Sequence, residues 1–110
     1  MLNDLVLKDL YSVLLARKTA DIPGSYTCYL FNQGLDKILK KCGEECTETI
    51  IAAKNGLASE IISESADLIY HLLVMLAQCN VDVSDVLREL SVRAAKQRNL
   101  KTIKTTDKDT

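Results

Sequence analysis

Apolar positions along this chain recur mostly at intervals of three and four, the rhythm of helices with one face turned inward. Leu2, Leu5, Val6, Leu10, Val13 and Leu14 set that rhythm over about residues 3–18. Asn3 or Asp4 can cap the start, and Arg17 and Lys18 complement the C-terminal dipole. Residues 19–27 break the pattern: Pro23-Gly24 signals a turn, and Ser25 or Thr27 can cap the next helix. One long helix, or two meeting near Gly34, then covers about 28–54. Leu35, Ile38, Leu39, Cys42, Cys46 and Ala53 share one side of it; Lys37, Lys41, Glu44, Glu45, Glu48 and Asn55 share a narrow arc on the other. Asn55-Gly56 closes it. Over about 58–79, Ile61, Ile62, Ala66, Leu68, Ile69 and the run 72–77 surround nearly the whole cylinder, which predicts a buried helix. After a turn at 80–82 comes a last helix over about 83–98, with Val83, Val86, Leu87 and Leu90 inward and Asp82 or Ser84 as cap. From residue 99 to 110 the chain is polar and without period, a frayed tail beyond a domain of residues 1–98. The expected architecture is an all-α bundle of four to five helices with short connections.

Composition sharpens this picture in a few places. The chain has 110 residues, enough for one domain with a small core to which subunit contacts can add. The single proline and the absence of tryptophan suit helices. A net charge of −1 argues against binding nucleic acid by bulk charge. The N-terminus carries acids where a secretory signal carries bases, and no apolar run approaches the roughly 18–20 residues of a membrane span, so a cytoplasmic protein is expected. The four cysteines include no CxxC pair; Cys42 and Cys46, four apart, read as small core residues of a reducing compartment.

The chemistry lies in two acidic clusters. Glu44, Glu45 and Glu48 fall within KKCGEECTE at 40–48, and sixteen residues later come Glu64 and Asp67, with His71 one turn beyond. Three glutamates on an outer arc alone fit a solvated face. Yet Glu44 and Glu48 are like charges four apart, an arrangement helix surfaces tend to avoid. Glu64, Asp67 and His71 interrupt an otherwise apolar helix within an arc of about 60°. Unpartnered carboxylates there are costly, so that arc must face water, a cation or a cleft. A shared cation neutralises both clusters, and oxygen donors favour Mg²⁺ or Mn²⁺. Lys37, Lys41 and Lys54 supply charges for phosphate. His71 reads more readily as a hydrogen-bonded core histidine than as a ligand. With one histidine, no GxSxG and no P-loop, a phosphate enzyme here must work through metal.

EExxE at Glu44, Glu45 and Glu48 followed by ExxD at Glu64 and Asp67 resembles the all-α nucleoside-triphosphate pyrophosphohydrolases, the superfamily of MazG and the dimeric dUTPases. GSYT at 24–27, Leu30-Phe31, GLDKILKKCGEE at 34–45, AAKN at 52–55 and ADLIYHLLV at 66–74 look like the phosphoribosyl-ATP pyrophosphohydrolase family within it. The resemblance covers about residues 10–90. It implies Mg²⁺-dependent hydrolysis of 1-(5-phospho-β-D-ribosyl)-ATP to the AMP form and diphosphate, the second step of histidine biosynthesis, by a homodimer. It implies Glu44, Glu45, Glu48, Glu64 and Asp67 as metal ligands, with Glu45 or Glu48 as the alternative general base on water. Lys41 and Lys54 are then expected on phosphate, and Ser25, Tyr26, Asn55 and His71 in substrate positioning. Cys42 and Cys46 stand where the family more often has small aliphatic residues, and the segment after Arg93 matches poorly. The cyclohydrolase domain that some members carry has no counterpart, so that activity is expected on a separate protein. Two other readings are a house-cleaning pyrophosphohydrolase of noncanonical dNTPs on the same fold, and a helical interaction module whose acids are only surface.

Overall fold

A computed structural model describes residues 5–99, and it is built of helices without a strand among them. They are α1 (Val6–Lys18), α2 (Tyr26–Gln33), α3 (Leu35–Asn55), α4 (Ala58–Gln78) and α5 (Val83–Asn99). The expected caps Asn3 and Asp4, Leu2 and the tail from residue 100 lie outside the described residues. α2 and α3 are the two helices expected to meet near Gly34. That glycine stands between them at φ 91°, a conformation L side chains rarely adopt. Ser25 caps α2, its hydroxyl accepting from the Cys28 N–H at 3.1 Å. Gly56, in the left-handed conformation, ends α3. Only Gly56 and Leu57 separate α3 from α4, so the two run antiparallel as a hairpin.

Cross-links fix the hairpin's register. The Cys42 thiol reaches the His71 carbonyl at 3.4 Å, and the Thr49 hydroxyl reaches the Glu64 carbonyl at 3.1 Å. That register opposes Ile38, Cys42, Glu45, Thr49 and Ala52 on α3 to Met75, His71, Leu68, Glu64 and Ile61 on α4. Both series step by alternating threes and fours, the seam of a coiled-coil-like pair. Ile38, Glu45 and Ala52 are buried along it. The inward side of α3 is therefore rotated from the one its apolar residues suggest: Leu35, Leu39, Cys46 and Ala53 are exposed. Glu45, placed on the outer arc by the pattern, faces inward. The core proper gathers Tyr11 and Leu14 of α1, Leu30 of α2, Ile38 of α3, Leu73, Val74 and Ala77 of α4, and Val83 of α5.

Other expectations need correcting for the same reason: fewer helices cover each face than the apolar residues could occupy. On α1 the buried positions are Tyr11 and Leu14, while Leu5, Val6 and Val13 are exposed. α4 is not enclosed; Ile62 is 69% exposed, Ile69 44% and Leu72 38%. On α5, Val83 is buried and Leu87 packs on the core, but Val86 and Leu90 stay exposed. Asp82 caps α5 through the Ser84 N–H at 2.8 Å. Cys28 is the buried cysteine, Cys42 is half-buried, Cys46 and Cys79 are exposed, and all four are free. Cys46 is thus no core residue.

Long-range hydrogen bonds tie α1 to the end of α4. Lys18 crosses over instead of serving its own helix; its ammonium donates to the Ala77 carbonyl at 2.9 Å and to Asn80 Oδ1 at 2.7 Å. Asn80 itself turns the chain at φ 59°, a conformation asparagine tolerates. Tyr11 donates its hydroxyl to the Val81 carbonyl at 2.5 Å. Removing that hydroxyl leaves a carbonyl without its donor while the ring still packs. Tyr11→Phe is therefore expected to lower stability by about 1 kcal/mol. Val13→Ser, on an exposed position of the same helix, should stay within roughly 0.5 kcal/mol of wild type, both read by urea unfolding.

Candidate metal and catalytic site

The polar residues of the hairpin seam lie in its middle. Glu45 is 6% exposed and His71 4%. Carboxylate oxygens of Glu45, Glu48 and Glu64 lie within 4.8 Å of one another. Glu44 and Asp67 are outside that group: Glu44 is exposed beside Lys41, and Asp67 is exposed on α4. The five expected ligands thus divide into three that converge across α3 and α4 and two at the rim.

Glu45 Oε2 and Glu64 Oε2 are buried and make no hydrogen bond. Buried polar atoms are nearly always partnered, and unpartnered charges are costlier still. Two orphaned oxygens on side chains of one acidic cluster make it a candidate cation site. The donors are all oxygen, which fits a hard divalent ion such as Mg²⁺ or Mn²⁺. Burial pushes the Glu45 carboxyl above its ordinary range, and the neighbouring carboxyl of Glu48 pushes the same way, against the pull of His71 and Lys41.

Thr49 holds the two walls in register. Its hydroxyl lies 2.7 Å from the Glu45 carbonyl and 3.1 Å from the Glu64 carbonyl, so its one proton is shared between backbones that carry two of the acids. Lys41 stands at the cluster's edge, with its ammonium 3.4 Å from Glu44 Oε1 and 3.5 Å from Glu45 Oε1. Burial works to lower Lys41, but Tyr26, Glu44 and Glu45 outweigh it and hold the ammonium above its ordinary value.

The GSYT segment docks on α4. Tyr26 Oη lies 3.0 Å from His71 Nε2, and Thr27 Oγ1 hydrogen-bonds the Tyr70 hydroxyl. His71 Nδ1 donates to the Asp67 carbonyl at 2.7 Å, which turns Nε2 toward the tyrosine hydroxyl. His71 is a hydrogen-bonded core histidine, and through Tyr26 it fixes the loop. The hydroxyl of Ser25 is used in capping α2. Tyr26 stacks between Tyr29 and Tyr70, with ring centroids 6.1 and 6.3 Å away. Lys54 and Asn55 are exposed at the C-terminal end of α3.

The sequence that builds this geometry has counterparts among known proteins. The family model of phosphoribosyl-ATP pyrophosphohydrolase matches residues 7–94. The chain belongs to the phosphoribosyl-ATP pyrophosphohydrolase family. It is 53% identical over 92 residues to a phosphoribosyl-ATP pyrophosphatase of Pelotomaculum thermopropionicum, covering 84% of this chain and 94% of that one. It is 55% identical over 91 residues to one from Listeria monocytogenes serotype 4b, covering 83% and 87%. A histidine biosynthesis bifunctional protein HisIE of Caldanaerobacter subterraneus is 50% identical over 91 residues, which span 83% of this chain and 44% of that longer protein.

Within this member of the pyrophosphohydrolase family, sequence patterning missed Thr49, Tyr29, Tyr70 and Thr27. Thr49 had a local signal: it stands four after Glu45, where a helical threonine bonds back to the preceding turn. The tyrosines had none beyond Tyr29 standing three after Tyr26. The raised Glu45 carboxyl carries a stability consequence. A carboxyl whose folded-state pKa exceeds its unfolded value, about 4.3, holds its proton more tightly when folded. Its contribution is present at low pH and is lost as pH rises through the raised value. The metal-free protein should therefore lose stability from this group as pH rises from the ordinary carboxylate range to neutrality, and Glu45→Gln should flatten that loss, leaving the variant the more stable of the two at neutral pH. Urea unfolding in chelator across that range measures both.

Proposed function

We propose that this chain hydrolyses 1-(5-phospho-β-D-ribosyl)-ATP to the AMP form and diphosphate, a step of histidine biosynthesis, in the cytoplasm. Membership in the family and the names of the relatives support the substrate. The observation that carries the mechanism is the pair of buried unpartnered oxygens, Glu45 Oε2 and Glu64 Oε2, with a Glu48 oxygen in reach of both side chains. Glu45, Glu48 and Glu64 would hold Mg²⁺, for which Mn²⁺ can substitute. When bound, the ion polarises the α–β anhydride and offsets charge on leaving diphosphate.

The protein's own groups do the rest. Lys37, Lys41, Glu44, Glu48 and Asn55 fall along one stripe of α3. Lys41 meets phosphate oxygens on the N-terminal side of the cluster, and Lys54 and Asn55 meet them beyond its C-terminal side. Glu45 or Glu48 takes the proton of the attacking water as its oxygen bonds to phosphorus and the anhydride oxygen leaves with diphosphate. Glu44 and Asp67 complete the acidic rim: Glu44 steadies Lys41, and the Asp67 carbonyl orients His71, which seats Tyr26. Diphosphate release from phosphoribosyl-ATP should require Mg²⁺, vanish in chelator and return on adding the metal. Glu48→Ala should fall at least about 100-fold below wild type without unfolding, by analogy with the cost of disturbing a metal site. Equal rates with and without Glu48 would contradict this role.

The working unit is a homodimer. Ile62, Ile69 and Leu72 form an exposed apolar stripe on α4, and the hairpin register sets exposed Ile51 beside Ile62. Monomers rarely leave such a stripe uncovered, and a second copy supplies a matching one. Wild type should sediment as a dimer and Ile69→Asp as a monomer; a monomeric wild type at assay concentration would contradict the assignment.

A further inference from the structure

An aromatic ledge adjoins the acidic cluster on its N-terminal side. Tyr26 is 45% exposed and Tyr29 44%, large fractions for aromatic rings in a small core. Their planes lie 25° apart with centroids 6.1 Å from one another, so the rings stack and Tyr29 is the outermost of the row that Tyr70 and Tyr26 begin. The ledge is preorganised, because Tyr26 is held by His71 and backed by Tyr70. The Lys37 ammonium stands 6.0 Å from the centre of the Tyr29 ring. Lys41 pairs with Glu44 and Glu45, whereas among the ion pairs of the described residues none uses Lys37. This lysine is a cation beside an exposed π face, and among the described residues no carboxylate pairs with it.

Lys37 stands on α3 ahead of Glu48, a member of the cluster, about 16 Å before it along the axis. The two differ by only about 20° of rotation, so the aromatic ledge and the acidic cluster line up along one helix. A ligand reaching both must carry an anion, then a flat ring, then a polyphosphate. A plain nucleoside triphosphate has the last two. A nucleotide bearing a second phosphoribosyl group on its base has all three.

We propose that Tyr26, Tyr29 and Lys37 form the subsite for the N1-ribosylated adenine: the purine stacks on the tyrosine ledge, and Lys37 takes the 5′-phosphate of the second ribose. This rests on phosphoribosyl-ATP being the substrate. Stacking on tyrosine holds the base without reading its edges, and the lysine supplies the discrimination against ATP as a point charge for phosphate. The subsite needs no metal, so the product's nucleoside portion binds it alone.

Isothermal calorimetry in chelator with phosphoribosyl-AMP and with AMP tests this on wild type, Tyr29→Leu and Lys37→Met. Tyr29 is exposed and Lys37 half-buried, so neither replacement touches the core. Wild type should bind phosphoribosyl-AMP about tenfold or more tightly than AMP. Lys37→Met should erase that preference while leaving AMP unchanged, and Tyr29→Leu should weaken both by about tenfold or more. Equal binding of the two nucleotides by wild type, binding of neither, a preference surviving in Lys37→Met, or wild-type affinities in Tyr29→Leu would each overturn the subsite. The hydrolytic reading fails separately: the expected binding without diphosphate release from phosphoribosyl-ATP leaves the subsite standing, and release with unaltered variants removes the subsite alone.

Discussion

Two buried carboxylate oxygens without partners, Glu45 Oε2 and Glu64 Oε2, on side chains that meet across α3 and α4, set the terms for the rest of this molecule. A seam between two antiparallel helices is ordinarily apolar, and placing two acids in it costs folding free energy. The chain meets that cost with structure around the acids. Thr49 locks the backbones that carry them, Cys42 ties the next turn to the His71 carbonyl, and Ile38 and Ala52 bury the seam on either side. On the proposed function, a divalent cation would reverse the sign of the arrangement: what destabilises the empty hairpin would give it affinity for the ion.

The hairpin alone does not make a site for a nucleotide. Tyr26 and Thr27 of the GSYT segment reach from the start of α2 to His71 and Tyr70 on α4, so the loop after α1 is fastened to the wall that carries Glu64. α1 is in turn anchored to the end of α4 by Tyr11 and Lys18. The small core therefore does two jobs with one set of contacts: it orders the helices, and it presents an aromatic ledge next to an acidic cluster.

The helices and both acidic motifs were legible in the sequence, because periodicity and capping are local signals. Gly34 and Gly56 mark the ends of α3 by conformations that few other residues adopt. The orientation of α3 was not legible. Its buried seam contains Glu45 and Thr49, so a search for the apolar face finds Leu35 and Leu39 and turns the helix the wrong way. The site itself misled the pattern. The exposure of Ile62, Ile69 and Leu72 was equally hidden, since composition shows that a helix is apolar but not how many neighbours cover it. Tyr29 and Tyr70 join Tyr26 only through tertiary contact, and no spacing along the chain announces that.

The site is best tested by locating the ion. Crystals soaked in Mn²⁺ and measured at the manganese absorption edge should show an anomalous peak between α3 and α4, about 2 Å from carboxylate oxygens of Glu45, Glu48 and Glu64. A peak confined to Glu44 and Asp67 at the rim, or no peak between the two helices at saturating Mn²⁺, would contradict it.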